Sequence, residues 1–155
     1  MKHEINQMTV GEQKTLNERL INRCHRVRKT IDDIKKLVAM GADINCRCSS
    51  VGNTPLMASV STNYHYNSSD NYNACKFLIE SGASVDVQNQ YGHTALMYSV
   101  YDINLMKLVL KYHPNIDLVN VLNDNVLDMC KQQGYTEHVE LLEEHIEQNK
   151  KISIQ

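Results

Sequence analysis

The chain has few of the residues that mark specialised protein classes. Its 155 residues include two prolines, one phenylalanine and no tryptophan, and 22% of them are charged. With 42% apolar residues, the composition is that of a globular protein and excludes a disordered or collagen-like chain. A chain of this length fits a single domain, which we expect to be a monomer when free.

Long apolar runs are missing too. None approaches the roughly 20 residues that span a bilayer, and the chain opens with the charged Lys2 and Glu4, so we expect neither a membrane segment nor a signal peptide. The five cysteines are odd in number and scattered, which argues against a disulfide framework. These features predict a cytoplasmic protein, with the cytoplasm of a host cell as one alternative.

No strong excess of either charge is present. Sixteen Lys and Arg residues against eighteen Asp and Glu residues give a net charge of -2, which does not favour nucleic acid as a partner. Basic residues do cluster early in the chain, for example Arg19 and Arg23. They could steer an acidic partner, but a solvated capping face explains them more simply.

Catalytic and metal-binding motifs are lacking. The sequence contains no P-loop, nucleophile elbow, zinc-protease or dinucleotide-binding motif. Cys46 and Cys48 are not followed by a second Cys or His pair at zinc-ligand spacing. We therefore expect no metal, no cofactor, no small-molecule substrate and no enzymatic activity. The alternative is a small enzyme that uses His93, Asp102 and a cysteine.

Two short signatures, in contrast, recur in alternation. The first reads GNTPLM at 52–57, GHTALM at 92–97 and, more weakly, NDNVLD at 123–128. The second reads LVAMGADIN at 37–45, LIESGASVD at 78–86 and LKYHPNID at 110–117. Self-similarity of this kind is typical of repeat proteins.

The local chemistry of each block predicts a pair of helices. Thr54 and Thr94 are good N-cap residues, and Gly41 and Gly82 are suited to the left-handed C-cap. His113, followed by a proline, is expected to end the third pair by a different device. The predicted helices lie near 10–25, 28–40, 54–62, 72–81, 94–102, 104–112, 125–133 and 136–148.

These blocks resemble the ankyrin repeat, with its G-x-T-P-L-H opening and L-L-x-x-G-A-D-V-N close, over roughly 30–145. Met57 and Met97 stand where the family has His, Ala95 replaces Pro, and Asn123 replaces Gly. The resemblance implies an all-α solenoid of about four helix-hairpin repeats with a capping repeat at each end. We expect one domain at 1–148, with repeats near 10–45, 46–86, 87–118 and 119–148, and a flexible tail at 149–155.

The resemblance also implies a function, the docking of a partner protein by an adaptor, inhibitor or host-directed effector. A self-associating structural protein is an alternative that would require exposed Val10, Leu16 and Leu20. The family's contacts lie on the hairpin tips and first helices. The expected partner-binding residues are Asn53, Tyr64, Tyr66, Tyr72, Gln90, Tyr91, His93, Tyr101, Asp102 and Asp124. The positions equivalent to those of the third repeat are Ser50, Val51, Asn53, Ser61 and Thr62, and Val121, Leu122, Asp124, Gln132 and Gln133.

An insertion at 62–73 contains three of these tyrosines. We expect a contact loop, because tyrosine supplies large contact area with few torsions to order. The alternative is an insertion in a permissive turn whose tyrosines lie against neighbouring helices.

Asn45 is a candidate for modification. With Leu37, Asp43 and Ile44 it resembles the ankyrin asparagines that are hydroxylated by a cytosolic asparaginyl hydroxylase. The simpler interpretation is that these residues are the ankyrin hairpin consensus.

Overall fold

The computed structural model describes residues 8–25, 31–61 and 68–153. Within these ranges the chain forms eight α-helices and one 3-10 turn, and no strand. The helices are α1 Val10–Cys24, α2 Ile31–Ala39, α3 Pro55–Val60, α4 Ser68–Glu80, α5 Ala95–Tyr98, α6 Ile103–Leu110, α7 Val126–Gln133 and α8 Thr136–Ser153, and the 3-10 turn is Ser99–Tyr101. This confirms the predicted all-α solenoid of paired helices.

The first helix of each internal pair begins at the predicted cap. The Thr54 hydroxyl accepts a hydrogen bond from Met57 N at 3.3 Å, and the Thr94 hydroxyl accepts one from Met97 N at 3.2 Å. At the last pair Asn125 takes the same place and forms a capping box with Asp128. These bonds satisfy N–H groups that would otherwise lack partners at the start of the helix.

The core runs the length of the stack, because each helix pair packs on the next. Leucines at equivalent positions are fully buried in successive repeats, as at Leu56 and Leu96 in α3 and α5. Each such side chain contributes roughly 1.5–3 kcal/mol by leaving water. At the N-terminal cap Leu16 and Leu20 are also buried, whereas Val10 is 89% exposed. The self-association alternative therefore loses two of the three residues it requires.

The second helices of the first three pairs end in one shared backbone conformation. Gly41, Gly82 and His113 have φ angles of 96°, 98° and 51°. The third helix pair was predicted to end differently from the first two, and this is wrong for the backbone conformation, which is left-handed at all three positions. The hydrogen bonding does differ. Ala42 N, after Gly41, donates to Leu37 O at 3.0 Å, whereas Pro114, after His113, has no N–H to donate.

Three helices differ clearly from their predicted bounds. Helix α5 ends at Tyr98, and the rest of the predicted helix 94–102 is the 3-10 turn. Helix α4 begins at Ser68, so the second half of the 62–73 insertion is helical. Within this helix Asn71 is buried. Asp70 lies in the first turn, where a carboxylate interacts favourably with the helix dipole. Helix α8 continues to Ser153, past the predicted end near residue 148. Lys150 and Lys151 in its last turn are favourable at a helix C-terminus.

Candidate protein-binding surface

Three hairpins connect the repeats, at 46–54, 88–94 and 119–125, and a buried asparagine organises two of them. Asn89 Oδ1 accepts hydrogen bonds from Tyr91 N at 2.9 Å and His93 N at 3.0 Å. Asn120 Oδ1 accepts equivalent bonds from Leu122 N at 2.8 Å and Asp124 N at 3.1 Å. Each amide therefore holds its hairpin tip in a defined conformation.

A cysteine takes this place in the first hairpin. Cys48 Sγ accepts a hydrogen bond from Asn53 N at 3.2 Å and lies 3.5 Å from the Ser50 hydroxyl. Burial raises the pKa of the Cys48 thiol, but the Ser50 hydroxyl and the N–H groups of Val51, Asn53 and Gly52 more than offset it, so that the pKa is lowered.

The hairpins are hydrogen-bonded to one another. Gln90 N donates to Val51 O at 3.0 Å, and Val121 N donates to Tyr91 O at 3.0 Å. The Gln88 side chain strengthens the second junction by donating to Val119 O at 2.8 Å. The three tips therefore form one connected surface, which we call the hairpin ridge and define as Val51, Gln90, Tyr91, Val121 and Leu122.

The ridge exposes apolar side chains. The exposed fractions are 51% for Tyr91, 67% for Val121 and 76% for Leu122. None of the five ridge residues carries a formal charge. Neighbouring exposed apolar side chains on a rigid framework are typical of a protein-binding surface.

Val121 and Leu122 are among the positions equivalent to the contacts of the third repeat, but they are not among the ten expected partner-binding residues. A further signal for them in the sequence is two consecutive apolar residues before Asn123, at a hairpin tip. The buried Asn89 and Asn120 were also missed. Each lies five positions before the N-cap of the following helix, and this shared spacing is visible in the sequence.

The expected hairpin residues separate into two groups. Gln90 and Tyr91 are exposed on the ridge. Asn53 and His93 are half-buried behind it: Asn53 Oδ1 accepts a hydrogen bond from Asn89 Nδ2 at 2.7 Å, and the His93 ring lies edge-on to Tyr98 at 5.5 Å. We infer that this second pair positions the tips.

Three further expected residues lie near the first helices of the third and fourth repeats. Tyr101 is 49% exposed and lies edge-on to Tyr135, with ring centroids 6.4 Å apart. Asp102 caps α6 by accepting from Asn104 N at 2.9 Å and Leu105 N at 3.1 Å. The Asp124 carboxylate accepts from Gln132 Nε2 at 2.8 Å.

The tyrosines of the insertion are only partly placed. Tyr64 and Tyr66 lie outside the described residues. Tyr72 belongs to α4 and packs against the hydrophobic core, half-buried. Tyr72 is therefore a helix residue, as in the predicted helix 72–81, and it is not part of a contact loop.

Asn45 joins two repeats. Its Oδ1 accepts from Ser84 N at 2.8 Å and its Nδ2 donates to Gly82 O at 3.2 Å. Asp86 repeats the first of these bonds one repeat later, accepting from Asn115 N at 2.8 Å. Asn45 itself is exposed, and its side-chain amide has a structural role.

The residues of the enzyme alternative have structural roles as well. Burial lowers the pKa of His93, and the Asp102 carboxylate is occupied by the helix cap. In the described ranges, no group of three or more His, Cys, Asp and Glu side chains is arranged to hold a metal ion. No helix in those ranges is both long and apolar enough to cross a membrane.

Comparisons with known proteins agree with this architecture. A family model described as ankyrin repeats (3 copies) matches residues 65–152. An ankyrin repeat protein of Acanthamoeba polyphaga mimivirus is 28% identical over 102 residues, which cover 64% of this chain and 60% of that protein. One from fowlpox virus is 34% identical over 82 residues, covering 52% of this chain and 16% of that protein. The aligned part is less than two thirds of either relative. Because the family model covers more than half of the chain, the protein belongs to the ankyrin repeat family.

Proposed function

We propose that this chain is an interaction module that docks a partner protein through the hairpin ridge. Ankyrin repeats are generally protein–protein interaction modules, and the family is typically non-enzymatic. The observation that carries the proposal is the exposure of Tyr91, Val121 and Leu122 on hairpins that are hydrogen-bonded to one another.

The mechanism is the docking of a preformed surface. Asn89 and Asn120 already hold the tips, so little conformational entropy is lost when a partner binds. Tyr91 is suited to act as an anchor, because tyrosine is enriched among the interface residues that contribute most of the binding free energy. Leu122 adds exposed apolar area beside it. Tyr101, at the end of the 3-10 turn, extends the surface toward the first helices.

The partner proposed is a host protein. Both relatives are viral ankyrin repeat proteins, which supports a host-directed effector or inhibitor acting in the host cytoplasm. The apolar, uncharged ridge favours a partner whose contact surface is also apolar.

The test compares two double variants matched in chemistry. Tyr91→Ser with Leu122→Ser removes two ridge side chains, whereas Val10→Ser with Met40→Ser removes two side chains that are 89% and 55% exposed in the first repeat. Partners are captured from host lysate by cross-linking, identified by mass spectrometry and titrated by calorimetry. We expect the ridge variant to bind the identified partner at least tenfold more weakly and the first-repeat variant to bind it unchanged.

Equal binding by both variants would refute the ridge as the docking surface. Circular dichroism and urea unfolding of both variants provide the folding control. All four side chains are exposed, so we expect both variants to remain folded.

A further inference from the structure

The hydrogen bonds between hairpins follow a regular series that ends at Leu122. Val51, Tyr91 and Leu122 each directly precede a residue of left-handed conformation in their hairpin. The carbonyl of Val51 accepts from the second hairpin and that of Tyr91 accepts from the third. Within the part of the chain that the structure describes, no donor bonds to the carbonyl of Leu122.

The end of this series offers an acceptor and no matching donor. Leu122 N donates to Asn120 Oδ1 at 2.8 Å, Val121 N to Tyr91 O at 3.0 Å and Asn123 N to Asn120 O at 2.9 Å. The three N–H groups at the tip are thus already used. Whatever extends the series must donate a hydrogen bond to Leu122 O.

The side chains around this carbonyl define the rest of the contact. Val121 and Leu122 are exposed by 67% and 76%, and Val119 by 40%. No residue from 118 to 123 carries a formal charge. The nearest formal charges along the chain are Asp117 and Asp124, and the Asp124 carboxylate already accepts from Gln132 Nε2 at 2.8 Å. A charged residue docked on Val121 and Leu122 would lose hydration against their apolar side chains, so the surface favours an uncharged, apolar occupant.

We propose that the third hairpin, 119–125, binds an extended, uncharged segment of the partner protein, which donates a backbone N–H to Leu122 O and packs apolar side chains on Val121 and Leu122. The segment continues a ladder that already joins three hairpins by backbone hydrogen bonds. Exposed edges of β-sheets bind extended peptides through unpaired backbone groups, and Leu122 O offers one such group at the end of the hairpin ladder. The inference rests on the proposed function and specifies the chemistry of the partner segment.

The experiment uses a synthetic probe and the full chain labelled with ¹³C and ¹⁵N. The probe is a six-residue peptide of alternating valine and threonine, acetylated and amidated; its control is the same peptide with every central amide N-methylated. We expect saturable shifts of the Leu122 carbonyl carbon and of the Val121 and Leu122 methyl groups. The methylated peptide should bind about fivefold more weakly or worse, the value of one net hydrogen bond.

A pair of variants tests whether the probe binds at Leu122 or makes unspecific contact with exposed apolar residues. Leu122→Ser should weaken binding of the probe, whereas Val10→Ser, also an exposed apolar residue, should leave it unchanged. Equal binding of the two peptides, or no shift at Leu122 at millimolar probe, would overturn the inference. So would concentration-dependent shifts at Leu122 without probe, since they would show that a second copy of the chain occupies the edge.

These outcomes differ from a failure of the proposed function. If the ridge double variant keeps its captured partner, the docking surface is wrong and this inference falls with it. If the ridge double variant loses the partner but both peptides bind alike, only the backbone ladder is refuted.

Discussion

Gly92 packs directly against the backbone of Asn120. A Cβ atom placed on Gly92 would lie 2.8 Å from Asn120 Cα, closer than real Cβ contacts allow, and 3.0 Å from Val119 O, which is also tight. The absence of a side chain at Gly92 therefore lets the second and third hairpins approach closely enough for Val121 N to bond to Tyr91 O.

We predict that Gly92→Ala is much more destabilising than Gly134→Ala. Both glycines are left-handed, with φ of 73° and 71°, so both variants carry the left-handed penalty of about 1–2 kcal/mol. Only Gly92 has backbone atoms in the way, since nothing lies within 4 Å of a Cβ at Gly134. Overpacking against backbone should add about 1–3 kcal/mol, measured by urea unfolding. Equal losses would show that the hairpins separate without cost.

Asn45 provides a test of the bonds between repeats. We predict that Asn45→Ala lowers the free energy of unfolding by about 1 kcal/mol, because Ser84 N and Gly82 O both lose a partner. Asn45→Asp should cost only about 0.5 kcal/mol, since a carboxylate can accept the Ser84 bond as Asp86 accepts from Asn115 N. Urea unfolding of the two variants measures the difference. A larger loss for Asp than for Ala would contradict the proposed role.

The thiols of Cys46, Cys48 and Cys130 should differ in reactivity. Burial, followed by the Asp43 carboxylate, raises the pKa of Cys46 to about 12, and burial raises that of Cys130 to about 11. The pKa of Cys48 is lowered, because hydrogen bonds outweigh the effect of its burial. At pH 8 we predict that iodoacetamide labels Cys48 before Cys46 and Cys130, because the thiolate is the nucleophile.

Mass spectrometry of peptides over a time course measures these rates. Ser50→Ala, which removes one of the bonds to the Cys48 sulfur, should slow labelling at Cys48 and leave Cys130 unchanged. Labelling of all three cysteines at one rate would mean that the reagent reacts with unfolded chains.

Stability should fall in mild acid. Burial lowers the pKa of His145 below 6.5, and the neighbouring His113 ring, 6.2 Å away and stacked on it, lowers it further. Burial is also the main cause of the lowered pKa of His93 and His138. A histidine with a lowered pKa binds its proton more readily in the unfolded chain. Its contribution to stability is therefore complete above pH 6.5 and is lost as the pH falls through the folded value.

The measurement is the midpoint of thermal unfolding at pH 7.5 and pH 5.0, above the range where most carboxylates titrate. We expect a lower Tm at pH 5.0, and a smaller decrease for His145→Gln, which cannot take up the proton. Each protein is judged by its own decrease in Tm between the two pH values, so the effect of packing lost in the substitution cancels. An unchanged decrease in His145→Gln would exclude His145 as a source of the acid sensitivity.

Much of the fold could be predicted because its signals are local. Thr54 and Thr94 cap the helices that follow them, and Gly41 and Gly82 end the helices before them. These effects involve residues within one turn of each other, so they can be read along the chain. The predicted start of α4, at residue 72, was four residues late, because the polar Ser68, Ser69 and Asn71 suggest a loop, whereas Asn71 is buried in the helix.

The candidate site was harder to predict, because exposure is a property of the whole stack. Asn89 and Leu122 show this most clearly: the polar residue is buried and the apolar residue is 76% exposed, opposite to their hydrophobicity. Asn89 can be buried because its amide is satisfied by Tyr91 N, His93 N and the Asn53 side chain. By itself the sequence determined the repeats, their caps and the helix pairs. Only the tertiary structure decided which hairpin residues bond inward and which meet solvent, because that depends on the neighbouring repeat against which each hairpin packs.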